Sequence, residues 1–455
     1  MLKKFLVIVG GSFLIYFFGW LILSTAGINK LDIKSEDTLP SMFLPFSIIK
    51  RGDLFLDHYY KMLTSKYPHP DDKDYALGLT PFYLKKVDGR YLSAFPIMSA
   101  VLALPVYFFP VIFGAVESWI NVILFSHIAS ALIVSISGWF MYILLRKNTQ
   151  LSEKNIYTLT IIYLFGTVNF AMISQALWQH GVAQLFIIIS LIYFYDLLKY
   201  LTAKSAFFFG LFAGLAVLSR PTAILPFGFL ILYLLIINGK NLKKFIKPVL
   251  FIFLGTLVCV LFFIYYNNKF YGNISNQGYA GQLLTGWLSP FPQSFLGVWF
   301  SPSKGIFVFS PIFIFSFFGA WLSWKKRNNL NLVFFLIAIL HTLVISFWKH
   351  WYGGWSFGYR MSSDIIPFLV LLLVPFLESD TFQKYKKVFF VLLGISILIE
   401  LYGMVFYDGI WHSAYDLGYE NTSWLWSFSD SEFAFDFRRV LVKLDLLERA
   451  CPKCL

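Results

Sequence analysis

A chain of 455 residues that is 58% hydrophobic and 20% aromatic but only 13% charged carries more apolar surface than a water-soluble domain can hide. It is expected to be an all-α polytopic membrane protein. The net charge of +13 does not call for a nucleic-acid partner, because the basic residues gather in short loops between apolar spans rather than in one patch.

Lys3 and Lys4 precede an apolar run at about 5–24, longer than a signal-peptide core and without a clean small-residue cleavage site. It is read as a retained first helix with its N-terminus in the cytoplasm. A mixed region follows at 26–117, with ten basic and ten acidic residues, and is expected to be a folded loop with interfacial helices. Within it, 95–114 is apolar enough to cross a bilayer but contains Pro96, Pro105 and Pro110.

Further spans are expected at about 118–145, 156–174, 177–198, 206–219, 222–237, 247–266, 305–323, 331–348, 363–377 and 388–407. If 95–114 does not cross, 17 basic residues fall on the cytoplasmic side and five in the short loops opposite, as the positive-inside rule requires. The segment is therefore read as lying in the outer interface or dipping in and returning. About eleven spans result, N-terminus in and C-terminus out, forming one membrane domain over 1–407 and a short extracytoplasmic cap over 408–455. In that cap Trp411, Tyr415, Tyr419, Trp424 and Trp426 read as an interfacial aromatic belt.

Cys259 falls inside a span, while Cys451 and Cys454 form a lone Cys-x-x-Cys at the end of the chain. Zinc would need two further ligands, and none are grouped nearby. A terminal disulfide or two idle thiols is the reading.

The residues that can carry chemistry begin with Glu36 and Asp37. A carboxylate just outside a bilayer can act as general base toward a hydroxyl, and a neighbouring carboxylate raises its pKa; the competing account is a solvated or helix-capping acidic pair. Asp53 and Asp57 stand at helical i,i+4 spacing, which equally describes one solvated helix face. Arg220, between two closely spaced spans in LSRPTA, calls for an anionic partner such as a phosphate, or snorkels to lipid headgroups.

The loop KHWYGGWSFGYR places Lys349, His350 and Arg360 among glycines and the aromatic residues Trp351, Tyr352 and Trp355. Aromatic faces suit sugar rings or an isoprenoid chain and the cations suit a phosphate, although membrane anchoring has the same composition. Trp178-Gln179-His180, Lys304 and Asp364 complete the polar set on this side, and Glu400 lies within the last span. His127 and His341 read as bundle histidines satisfied by neighbours. No Walker loop, HExxH helix or Gly-x-Ser-x-Gly elbow occurs, so ATP-driven transport, zinc proteolysis and serine hydrolysis lack their parts.

Glu36-Asp37 after the first span, GRYLSAFPIMSAVLALPVYF, LSRPTAILPF, SPSKGIFVFSPI and WYGGWSFGYR together resemble the GT-C superfamily of polyprenyl-phosphate-sugar glycosyltransferases. The similarity is nearest to the branch that holds protein O-mannosyltransferases and the lipid A aminoarabinose transferase. It implies a multi-pass enzyme of the plasma (inner) membrane that moves a sugar from polyprenyl phosphate to an acceptor hydroxyl on the extracytoplasmic face. Asp37 is the position carried over as base, with Glu36 its rival.

Arg220, Arg360, Lys304 and Lys349 would then meet the donor phosphate. His180, His350, Trp351, Tyr352, Trp355, Asp53 and Asp57 would line the substrates. The partners implied are the polyprenyl-phosphate-linked sugar, a glycan, lipid or protein acceptor, and membrane lipids, with no nucleic acid. No cofactor is assigned and no metal ligands are named, a divalent metal being left open. Two departures stand out: the KYPHPDDKDY stretch of the first loop and a tail too short for a large acceptor-binding domain. The rival readings are a non-enzymatic lipid or glycolipid transporter, for which no paired inverted repeats are found, and a polymerase or ligase of lipid-linked glycans.

Overall fold

The structure is a computed structural model and describes residues 1–28, 33–73, 77–239, 242–274, 278 and 285–448; Cys451 and Cys454 lie outside them. Eight helices among the described residues are long and apolar enough to cross a membrane: Leu2–Thr25, Trp119–Asn148, Gln179–Tyr200, Pro221–Asn238, Phe245–Tyr271, Asn329–Phe347, Arg360–Leu377 and Thr381–Phe406. A ninth is added if Glu153–Phe165 and Val168–Gln175, bent by 49° at their break, count as one span. The chain is thus an all-α polytopic membrane protein.

Two of the expected eleven spans take another form. The stretch at 206–219 sits in Ala203–Ser219, whose 17 residues extend about 25 Å at 1.5 Å per residue, less than a bilayer core of about 30 Å. The stretch at 305–323 is divided into Ile306–Phe309, Pro311–Phe313 and Ile314–Lys325, since Pro311 has no N–H to continue a helix. The proline-containing segment at 95–114 forms one helix, Met98–Ile112, of 15 residues, shorter still.

The described residues also include a β-hairpin that the all-helical expectation passed over. Leu84–Val87 pairs antiparallel with Arg90–Ser93. The two residues between them, Asp88 and Gly89, both have positive φ, 48° and 78°. Asp-Gly in a two-residue loop is the sequence this turn favours, because both central residues must adopt a left-handed conformation.

The chain divides into two compact units. The first comprises Met1–Phe13, Ser35–Leu144 and Ile173–Thr285. Ala203–Ser219 packs backbone to backbone against Leu242–Tyr271. A Cβ at Gly210 would strike the carbonyl of Ile252, and one at Gly255 the carbonyl of Phe207. Gly210 and Gly214 opposite Gly255 and Cys259 therefore form a small-residue seam, the means by which membrane helices approach backbone to backbone. On its other side Ala203–Ser219 stacks Phe208 and Phe212 on Tyr193 of Gln179–Tyr200.

The second unit comprises Leu14–Lys34, Leu145–Met172 and Gly286–Leu455. Part of the tail is buried in its interior. Trp411 is 1% exposed and donates from Nε1 to the Asp430 carbonyl at 2.8 Å, and its ring lies 4.9 Å from that of Trp424. Ser301 donates to the Leu425 carbonyl at 2.7 Å. Trp411 combines packing with a satisfied indole N–H, and Trp424 contributes packing.

Candidate functional site

In the first unit the sequence SEDTLP builds a helix start. Ser35 has extended backbone, its Oγ accepts from the Asp37 N–H at 3.4 Å, and Glu36–Thr38 makes one 3-10 turn that runs into Leu39–Arg51. Thr38 Oγ1 donates back to the Ser35 carbonyl at 2.8 Å, and Pro40 occupies a first-turn position where its missing N–H costs nothing. Carboxylates in this turn are favoured by the helix dipole.

Beside that turn lies a small cleft, with about 220 Å³ of empty volume including its open mouth, lined by Asp37, Thr38, Ser41, Phe95, Pro96, Leu177, Trp178 and Gln179. Glu36 is not among the lining residues. Burial, and then the negative charge of Asp37, push the Glu36 carboxyl up to about 7. The cleft therefore brings together a carboxylate, a serine hydroxyl, a side-chain amide and aromatic side chains, a set in which the carboxylate can accept a proton from a hydroxyl.

His180 follows this wall but is buried, with its ring edge-on to Trp178 at 6.0 Å. Arg220, in the same unit, is 4% exposed; its backbone N–H closes Ala203–Ser219 on the Ala216 carbonyl at 2.8 Å. Asp53 and Asp57 do not share a helix face, since Gly52, at φ 67°, ends Leu39–Arg51 before them. Asp53 accepts from Ser47 Oγ at 2.8 Å and from the Phe55 N–H at 3.2 Å. Asp57 takes Arg90 Nε at 2.8 Å and the Tyr91 N–H at 3.0 Å. Both carboxylates tie the loop to its hairpin.

In the second unit the 349–360 loop folds on glycines. Gly353, Gly354 and Gly358 have φ of 89°, 58° and 64°, which glycine alone adopts without penalty, and the Arg360 guanidinium donates to the Gly353 carbonyl. Lys349 Nζ stands 5.7 Å from the ring of Tyr419, and His350 Nδ1 lies 3.2 Å from the Tyr352 hydroxyl. Trp351 and Tyr352 are buried, whereas Trp355 is exposed on one side and stacks near His412 at 6.0 Å.

Lys304 is 1% exposed and is already engaged: Nζ meets Glu432 Oε2 at 3.2 Å, His412 Nε2 at 3.0 Å and the Ser356 carbonyl. Burial lowers the pKa of Lys304, and burial followed by the Lys304 charge holds His412 well below its usual range, so the neutral imidazole accepts from the ammonium. This arrangement makes Lys304 the anchor of the tail rather than an open cation.

Sequence reasoning missed Glu432 and His412, which stand 128 and 108 residues from Lys304 in no local pattern. It also missed Lys34, buried beside Tyr407. Among the described residues no three His, Cys, Asp or Glu side chains group as metal ligands.

No curated protein and no solved structure matches this chain. Residues 91–279 match the family model of the Alg9-like mannosyltransferases. That stretch includes Phe95, Pro96, Leu177, Trp178 and Gln179 of the cleft and also Arg220, while Glu36 and Asp37 precede it. Over these residues the chain is similar to a GT-C family of polyprenyl-phosphate-sugar glycosyltransferases, which bears out the GT-C resemblance and supports a membrane glycosyltransferase that uses a lipid-linked sugar donor.

Proposed function

We propose that the protein transfers a hexose from polyprenyl phosphate to an acceptor hydroxyl, with Asp37 as general base. The observation that carries this reading is the position of Asp37 on the cleft wall, facing residues from inside the stretch that resembles a glycosyltransferase family. Asp37 takes the proton of the acceptor hydroxyl as its oxygen bonds to the anomeric carbon. The bond from that carbon to the phosphate oxygen breaks, and its electron pair leaves with polyprenyl phosphate.

The leaving phosphate needs positive charge, not a second carboxylic acid, which separates this chemistry from glycoside hydrolysis. Arg220 is the cation proposed for that role in the first unit. Arg360 and Lys349 are proposed on charge alone, each to be tested by its own replacement. The family's name makes mannose the first sugar to try, and a glycan is taken as the first acceptor. The test is release of polyprenyl phosphate from polyprenyl-phosphate mannose by the purified protein in liposomes supplied with membrane glycan extract. No release with this or any other polyprenyl-phosphate sugar would remove the reading.

The reaction is proposed for the extracytoplasmic face of the plasma membrane, on the strength of the charge distribution of 17 basic residues against five. Cysteines placed at Asp71 and Lys147, in a chain with its own three cysteines replaced, are expected to react with an impermeant maleimide from opposite sides. Labelling from one side would overturn the topology.

A further inference from the structure

One end of the second unit gathers three charged segments of the chain. Ile314–Lys325 and Thr381–Phe406 run antiparallel there: Phe315 lies against Phe389, with ring centroids 5.4 Å apart, and Phe318 against Tyr385, at 6.4 Å. The last turn of the first helix is thereby brought beside the first turns of the second. The segment at 145–154 joins the same end, since the Gln150 N–H donates to Glu378 Oε1 at 3.2 Å.

Exposed cations concentrate at this end. Lys325, Lys326 and Arg327 close one helix, and Lys384, Lys386 and Lys387 open the other. Arg146, Lys147 and Lys154 stand on the third segment. The acids of these stretches are Glu153, Glu378 and Asp380, so the cations outnumber them. Trp321, Trp324 and Tyr385 are exposed beside the charges. Lys325 Nζ lies 3.7 Å from the ring centroid of Trp321, and Lys384 Nζ 5.4 Å from that of Tyr385. Aromatic rings and long cationic side chains at helix ends suit the headgroup layer of a bilayer, where one part of each is apolar and the other wet.

Two of the cations stand where the backbone disfavours them. Ile314–Lys325 ends in a left-handed turn: the Arg327 N–H donates to the Trp324 carbonyl at 3.1 Å, the Asn328 N–H to the Ser323 carbonyl at 2.8 Å, and Arg327 has φ 52°. Glycine takes that conformation without the steric penalty an arginine meets. Lys384 lies in the first turn of Thr381–Phe406, where the helix dipole repels positive charge. Helix energetics therefore do not account for either residue.

We propose that this end of the second unit binds anionic phospholipid headgroups, with the two triads 325–327 and 384–387 meeting the lipid phosphates and the exposed aromatic residues seated at the level of the headgroups. It lies on the side that the charge distribution proposes for the cytoplasm. Each lysine or arginine near an anionic membrane surface contributes about fivefold in affinity, so a cluster of six distinguishes anionic from zwitterionic lipid. The inference stands whether or not the protein transfers sugar.

The test is thermal unfolding of the purified full-length protein in neutral detergent, titrated separately with phosphatidylglycerol, phosphatidylcholine and sodium phosphate, because a ligand that binds the folded state raises Tm with its concentration. Phosphatidylglycerol is expected to raise Tm and phosphatidylcholine to leave it nearly unchanged. Replacing Lys384, Lys386 and Lys387 together by glutamine is expected to raise the phosphatidylglycerol needed for half the effect by roughly tenfold or more. Arg327→Gly is expected to raise Tm in detergent alone, by relieving the left-handed arginine, and yet to weaken the response to phosphatidylglycerol about fivefold.

Detergent solution has no sides, so charges that only orient the chain during insertion predict no lipid-dependent shift. Equal shifts with phosphatidylglycerol and phosphatidylcholine overturn the proposal, as does an unchanged phosphatidylglycerol requirement in the triple variant. An equal lysine-dependent shift with sodium phosphate also overturns it, by marking a general anion site. Should the triple variant not fold, Arg327→Gly carries the same comparison.

Discussion

Replacement Asp37→Asn is expected to lower sugar transfer by about 10²–10⁴-fold, the range that loss of a positioned general base produces, while donor KM changes little. The asparagine keeps the size of the side chain and its place on the cleft wall beside Trp178 and Gln179 but cannot take the acceptor's proton. Glu36→Gln is expected to stay within a few-fold of the unaltered protein, because Glu36 does not line the cleft. Equal losses in the two variants, or undiminished turnover in Asp37→Asn, would remove Asp37 from the mechanism.

Glu36 should instead register in stability. Its folded pKa of about 7 lies above the ordinary 4.5, so the folded state holds the proton more tightly than the unfolded chain does. The contribution is complete below about 4.5 and is lost as pH rises through about 7. Tm is therefore expected to fall between pH 5 and pH 8 by more in the unaltered protein than in Glu36→Gln. Parallel pH profiles would show that the carboxyl is not held in this way.

The second large effect is expected on folding. Glu432→Ala leaves the Lys304 ammonium buried with only the His412 imidazole and the Ser356 carbonyl, and breaking such a pair costs about 3–5 kcal/mol. Both side chains are at most 1% exposed, so water cannot replace the carboxylate. The double replacement Lys304→Met with Glu432→Leu is expected to regain most of the loss, since two apolar groups need no counter-charge. Inactivation half-lives of the purified protein at fixed temperature measure this without requiring reversible unfolding. A Glu432→Ala half-life equal to that of the unaltered protein would mean that the pair does not hold the tail.

The Lys304 pair shows where sequence reasoning stopped. In SPSKGIFVFSP the lysine has the composition of a phosphate ligand, and nothing within ten residues reveals that an acid 128 residues away meets it. The same holds for Trp411 and Trp424: an aromatic belt and an aromatic core have one composition, and only the path of the chain distinguishes them. The helical spacing read for Asp53 and Asp57 did not hold, for a nearer reason. Gly52 was a stop signal within the motif, and reading past it placed two carboxylates on a helix that had already ended.

Asp88-Gly89 was legible hairpin chemistry that the apolar pattern around it overshadowed.

What the amino-acid sequence determined by itself was the membrane character of the chain, most of its spans and the Glu36-Asp37 pair just after the first of them. Those depend on local matters: how far an apolar run extends, which charged residues flank it, and where a proline interrupts it. Tertiary structure alone decided that Asp37 rather than Glu36 lines a cleft with Trp178 and Gln179, and that Lys34 lies buried against Tyr407. The physical reason is that a side chain's charge and contacts depend on what the fold brings beside it, and those neighbours come from distant parts of the chain.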